Sequence, residues 1–135
     1  MTTINVMVAV NVGQAIATGN LGEYVFMVDT TGYSGNGSEG GNELVTTCTN
    51  GDTVIWNVVS IDPSETVAIL GFSGEAIQNN MINPGQYPQY AGTVWGGRVN
   101  SAGTNVQYSM ELLLQGNVQQ SFDPFLTANN VQNLR

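Results

Sequence analysis

Histidine and lysine are absent from this chain of 135 residues, and cysteine occurs once, at Cys48. Without histidine there is no Ser–His–Asp or Cys–His nucleophilic centre and no histidine-ligated zinc. A lone cysteine forms no intramolecular disulfide. Cys48 has no base to activate it and lies in a strand-forming run, so it reads as a small buried hydrophobe. The only basic side chains are Arg98 and Arg135, against ten carboxylates, for a formal net charge of −8. Binding nucleic acid requires several cations to displace counterions from phosphates. Two arginines do not supply them, so nucleic acids and anionic membranes are excluded as partners. No segment approaches the ~20 consecutive apolar residues of a membrane-spanning helix. The N-terminal run MTTINVMVAVNVGQ has neither a basic start nor a long apolar core. It is therefore not expected to be a cleaved signal peptide. The expected location is the cytosol, or export by a route that needs no such signal, and the sequon-like Asn36-Gly37-Ser38 reads as chance.

Charge of either sign is scarce. Charged residues make up 9% of the chain, where ~25% is usual. Asn, Gln, Ser, Thr and Gly supply most of the polar surface. Such a surface hydrogen-bonds well and repels weakly per unit area, which suits neutral sugars or further copies of the same chain. The length fits one domain with one core. That domain is expected to span residues 1–128, with 129–135 a frayed tail and no internal repeat.

Period-two alternation dominates what is present. Ile4, Val6, Val8, Val10 and Val12 alternate with Asn5, Met7, Ala9 and Asn11, as in a strand with one buried face. Tyr24, Phe26 and Val28 read the same way, as do Val54, Trp56 and Val58. Val106, Tyr108, Met110, Leu112 and Leu114 form the longest such series. Further strands are expected at 43–49, 67–73, 93–99 and 121–127. Asn50-Gly51 signals a hairpin, Asp62-Pro63-Ser64 a turn, and 75–82 a short helical turn. Seven or eight short strands with polar turns predict an all-β fold, an antiparallel two-sheet β-sandwich.

The stretch TGYSGNGSEGGNE contains Gly35, Gly37 and Gly40 in the order G-x-G-x-x-G. In a dinucleotide site this pattern must open a helix, whose N-terminus meets the pyrophosphate. Here the β-favouring run Leu44-Val45-Thr46-Thr47 follows, and Glu39 and Glu43 would repel phosphate. The segment reads first as a strand connection. The alternative is a calcium loop, with Asp29, Glu39 and Glu43 as hard oxygen ligands. No other cofactor is expected.

A second candidate site lies in the long segment 75–92. Tyr87, Tyr90 and Trp95 would form a platform for a sugar ring, with Asn83, Gln86 and Gln89 bonding hydroxyls at its rim. The competing reading is that these aromatics cap one end of the sandwich. Asp62 and Glu65 are the nearest thing to a glycosidase pair, but they sit in an apparent surface turn and read as solvated. No catalytic residues are expected.

Several short motifs, taken in order, suggest a family. They are Tyr24-Val25-Phe26-Met27-Val28, Ser34-Gly35-Asn36-Gly37-Ser38, Gly51-Asp52-Thr53-Val54-Ile55-Trp56, Ala68-Ile69-Leu70, Trp95 and Phe122-Asp123-Pro124-Phe125. Together they resemble the bacterial AidA/PixA family of inclusion-body proteins, with Phe122 where that family commonly has Trp. The resemblance implies a β-sandwich without catalytic residues. It also implies abundant intracellular inclusions or an accessory role in virulence and host association. The leading expectation is thus a homo-oligomer or larger self-assembly, with glycan recognition as the alternative.

Overall fold

The computed structural model describes residues 2–31 and 44–131. Strand β1 (Thr3–Val10) turns Ile4, Val6, Val8 and Val10 inward, and its alternate residues face outward. Valine and isoleucine at every second position allow this placement, because successive strand side chains leave opposite faces. The expected series ended at Val12, but Val12 instead opens helix α1 (Val12–Thr18). Asn11 caps the helix by accepting the Gln14 N–H at 3.3 Å, and Gly19 ends it in the left-handed region at φ 70°. The helix buries Val12 and Ala15 against the core.

Strand β2 (Val25–Asp29) follows, then β3 (Val45–Thr49), β4 (Thr53–Ser60) and β5 (Val67–Ser73). Helix α2 (Glu75–Gln78) and β6 (Gly85–Gln86) occupy the long segment before β7 (Val94–Arg98). The chain ends in β8 (Gly103–Gln107), β9 (Ser109–Leu114), β10 (Val118–Phe122) and β11 (Phe125–Asn129). The fold is all-β with packed sheets, as the alternation predicts. It has eleven strands among the described residues, and two of its pairings, β1–β4 and β3–β11, are parallel. No helix among the described residues is long and apolar enough to cross a membrane.

The first layer is a five-stranded sheet in the order β2-β1-β4-β7-β6. The second contains two three-stranded sheets, β10-β9-β5 and β3-β11-β8. A single long hairpin joins them. Phe122 pairs with Met110, Phe125 pairs with Gln107, and between them the Tyr108 N–H donates to the Pro124 carbonyl. Proline has no N–H for the ladder, so the hairpin breaks at this point. The inward phase nevertheless continues through Phe122, Pro124, Leu126 and Ala128, all buried.

Between the layers Trp56 and Tyr108 are fully enclosed. Trp56 Nε1 donates to the Tyr108 hydroxyl at 3.0 Å. The Phe72 ring lies 4.6 Å from Trp56 and 5.6 Å from Trp95, centroid to centroid. Such tilted aromatic pairs add modest stabilisation beyond the area they bury.

The structure differs from the sequence pattern at the β3–β4 turn and on β2. Asn50-Gly51 does not close a hairpin: β3 pairs with β11, and β4 pairs with β1 and β7. The turn, with Gly51 at φ 101°, instead carries the chain from one layer to the other. On β2 the buried phase is the reverse of the one expected. Val25 and Met27 point inward opposite Val10 and Val8, while Phe26 and Val28 face solvent. Both phases of this strand are apolar, so pairing register with β1 decides which is buried.

Candidate functional site

Asp52 occupies the junction between the layers and is 7% exposed. One carboxylate oxygen accepts the Thr2 N–H at 3.0 Å and the other accepts the Thr49 N–H at 2.9 Å. Its carbonyl accepts the Val99 N–H at 2.8 Å. The N-terminal strand, the β3–β4 turn and the end of β7 are therefore tied through one residue. Nearby Cys48 is buried, and its thiol donates to the Thr127 carbonyl at 3.4 Å. Burial, and then the charge of Asp52, push this thiol up to about 12. A thiol so resistant to ionisation is a poor nucleophile.

Asp29 is held by Thr46 Oγ1, which donates to it at 2.8 Å, and by the Thr31 N–H and hydroxyl. Glu39 and Glu43, its expected calcium-binding companions, lie outside the described residues. Among the described residues no three Asp, Glu or Cys side chains gather closely enough to hold a metal ion. Asp62 accepts the Ser64 N–H and hydroxyl, which hold its carboxyl below the usual carboxylate range. Glu65 is engaged elsewhere, accepting the Gly13 N–H at 3.3 Å. The Asp62–Glu65 segment is thus a built turn, with each carboxylate closing backbone.

The aromatic segment is divided between two faces of the first sheet. Trp95 pairs across the ladder with Trp56 and turns inward with it, where its indole N–H is buried without a partner among the described residues. Tyr87 lies on the opposite side: a Cβ at Gly96 would stand 2.7 Å from its hydroxyl. Only glycine lets that ring lie so close to the strand. Tyr90 is exposed, at the end of the short 3₁₀ turn Pro88–Tyr90, and Asn83, Gln86 and Gln89 are exposed as well. The structure therefore does not form the single platform of Tyr87, Tyr90 and Trp95 expected from the sequence. Ladder register sends Trp95 into the core beside Phe72.

A different surface stands out, and the sequence reading missed it. The outward face of the five-stranded sheet carries Met7 at 46%, Phe26 at 43%, Val59 at 38% and Val28 at 37% exposure. They are contiguous: Phe26 pairs with Ala9, which pairs with Val59, while Val28 pairs with Met7, which pairs with Asn57. Half-buried Ile55 and Val94, with the Tyr87 ring lying over Gly96, extend the surface across β4 and β7. A hollow of about 350 Å³ opens among Asn5, Met7, Val28 and Asn57, with Asp29 and Thr30 at its rim. The signal in the sequence was Tyr24-Val25-Phe26-Met27-Val28, where every residue is apolar or aromatic, so either phase leaves large side chains in solvent.

Comparison with solved structures gives the fold a counterpart. The crystal structure of an inclusion body protein (PixA) from Burkholderia cenocepacia J2315 superimposes with a TM-score of 0.65 at 15% identity, covering 96% of this chain and 95% of that one. At that identity the likeness is one of fold, and the fold is PixA-like, as the motifs suggested. No curated protein matches the sequence. The model of the family described as a domain of unknown function (DUF8788) matches residues 2–120, and the chain belongs to that family.

Proposed function

We propose that this chain is a non-catalytic protein that acts by associating with copies of itself, accumulating as inclusions within the cell. The observation that carries this reading is its surface. Large apolar side chains stand in solvent at Met7, Phe26, Val28, Val59, Ile61 and Leu70, on a chain in which charged residues are 9% of the total. Exposed apolar clusters on a soluble domain mark contact sites. Amide and hydroxyl groups around them desolvate at lower cost than charges do. The PixA-like fold supports the reading, since the solved counterpart is described as an inclusion body protein.

Light scattering coupled to size-exclusion chromatography tests it, over a series from about 10 μM to about 1 mM protein. Mass should rise with concentration, equally with calcium and with chelator. A constant monomer mass at the highest concentration rejects the proposal.

A further inference from the structure

We infer that the elementary contact in this self-association is a two-fold stacking of the outward faces of the five-stranded sheet, with β1, β2 and β4 of one copy against the same strands of another. The inference rests on the self-association reading and specifies its surface. Three observations select a second copy as the occupant.

The first is charge. The molecule carries −8 overall, so two copies repel through most of their surface. The outward residues of β1, β2, β4 and β7 include no carboxylate, and Arg98 stands at one corner opposite Thr53. Asp29 reaches the rim of the hollow, but Thr46 and Thr31 hold it. This face lets two acidic copies approach without setting carboxylates against each other.

The second observation is shape. In a two-fold contact residue i of one copy meets residue j of the other, and j meets i, so a face must carry both projection and recess. Phe26 projects from β2, and the hollow among Asn5, Met7, Val28 and Asn57 begins at the next outward-facing pair, Val28 opposite Met7. Twisted sheets stack face to face at ~10 Å, with strand directions within ~30°, which allows the Phe26 ring of each copy to reach the hollow of the other.

The third is area. Three strands ~4.8 Å apart, two of eight residues and one of five, at ~3.3 Å per residue give this contact a width of roughly 14 Å and strand lengths of roughly 17–26 Å. That is about 300 Å² in projection, below the ~800 Å² per partner of a standard stable interface. A contact of this size is weak and fills at high concentration, as suits a protein that is dispersed when scarce and assembled when abundant.

The test uses sedimentation velocity on the full chain over the same concentration series. Phe26→Glu places like charges across the two-fold contact and should weaken dimerisation at least about tenfold. Leu70→Glu, on an exposed position of β5 in the other layer, should leave dimerisation unchanged. Phe26→Leu, which still fills the hollow without charge, should dimerise nearly as well as wild type. Matching circular dichroism and urea midpoints for wild type and Phe26→Glu show that the variant is folded. If wild type dimerises and Phe26→Glu does so equally well, or if Phe26→Leu loses dimerisation as fully as Phe26→Glu, this surface is wrong while self-association stands. Weakening by Leu70→Glu equal to that by Phe26→Glu likewise overturns it. A wild-type chain that stays monomeric throughout instead rejects the self-association reading itself.

Discussion

Tyr108 has no solvent exposure to speak of, so its hydroxyl must find its partner within the protein. It accepts the Trp56 Nε1–H at 3.0 Å, and both rings are sealed between the layers. Tyr108→Phe keeps the ring and removes the acceptor, leaving a buried indole N–H unpaired. Stranding a buried donor costs about 1–3 kcal/mol, so urea unfolding should show a loss of that size with an unchanged m-value. A loss near zero would mean that Trp56 Nε1 finds another acceptor. A second residue-scale effect concerns alkaline pH. Burial raises both the Cys48 thiol, from 9.0 to about 12, and the Tyr108 phenol. Above pH 9 the unfolded chain releases the Cys48 proton while the folded chain keeps it. Stability is therefore full below pH 9 and declines toward pH 12. Cys48→Ala should flatten the part of that decline between pH 9 and 10.5, measured by urea midpoints across the range. An unchanged slope would assign the decline to other groups, Tyr108 first among them.

Asp52 acts between elements: it accepts backbone N–H groups from Thr2 and Thr49 and holds Val99 through its carbonyl. Asp52→Ala removes both side-chain acceptors at a largely buried position. The expected cost is about 1–3 kcal/mol for each N–H left unpaired away from water. Hydrogen exchange should quicken at Thr2 and Thr49 and stay unchanged at Gln14 in α1, whereas uniform acceleration would mark a global loss instead. The Gly51-Asp52 turn was legible in the sequence, because a turn followed by Val54, Trp56 and Val58 fits one pattern only. The first arm of the long hairpin was legible for a similar reason: from Val106 to Leu114 one phase is apolar throughout and the other is polar except at Leu113, whereas the single strand expected at 121–127 straddles the break at Pro124 between β10 and β11. Where both phases are apolar, as on β2, periodicity names a strand but not its buried side, and partner register decides. Helix α1 escaped detection because Val12 continued the β1 alternation by coincidence, although Asn11 and Gly19 bracket it as caps. Pairing order was not legible at all. Parallel partners such as β1 and β4 carry no local signal, and Asn50-Gly51 joins layers as readily as it closes a hairpin. The aromatic platform failed for a related reason. Chemistry placed Tyr87, Tyr90 and Trp95 together, and strand register set Trp95 on the inner face.

At the scale of the whole molecule, net charge opposes what the apolar face favours. Near neutral pH each copy carries a formal net charge of −8, so association brings like-charged bodies together. Carboxylates titrate around pH 4, and the isoelectric point of the sequence is about 4.1. Lowering the pH from 7 toward 5 begins to remove that repulsion without altering the uncharged face. Asp62, held below the usual range by Ser64, is among the last groups to protonate. Association should therefore strengthen steadily as the pH falls. Salt distinguishes the apolar contact from an ionic one. At about 0.1 M the Debye length is ~10 Å, which screens the long-range repulsion between copies. Excluded salts such as sulfate further favour burial of apolar surface. Dimerisation through the β1–β2–β4 face should therefore tighten with sodium chloride at pH 7 and tighten more with ammonium sulfate, as read by sedimentation. Ion pairs between copies would loosen under the same sodium chloride titration. A dimer that dissociates as salt is added would place the contact on charged groups such as Arg98 and remove the apolar face from the account.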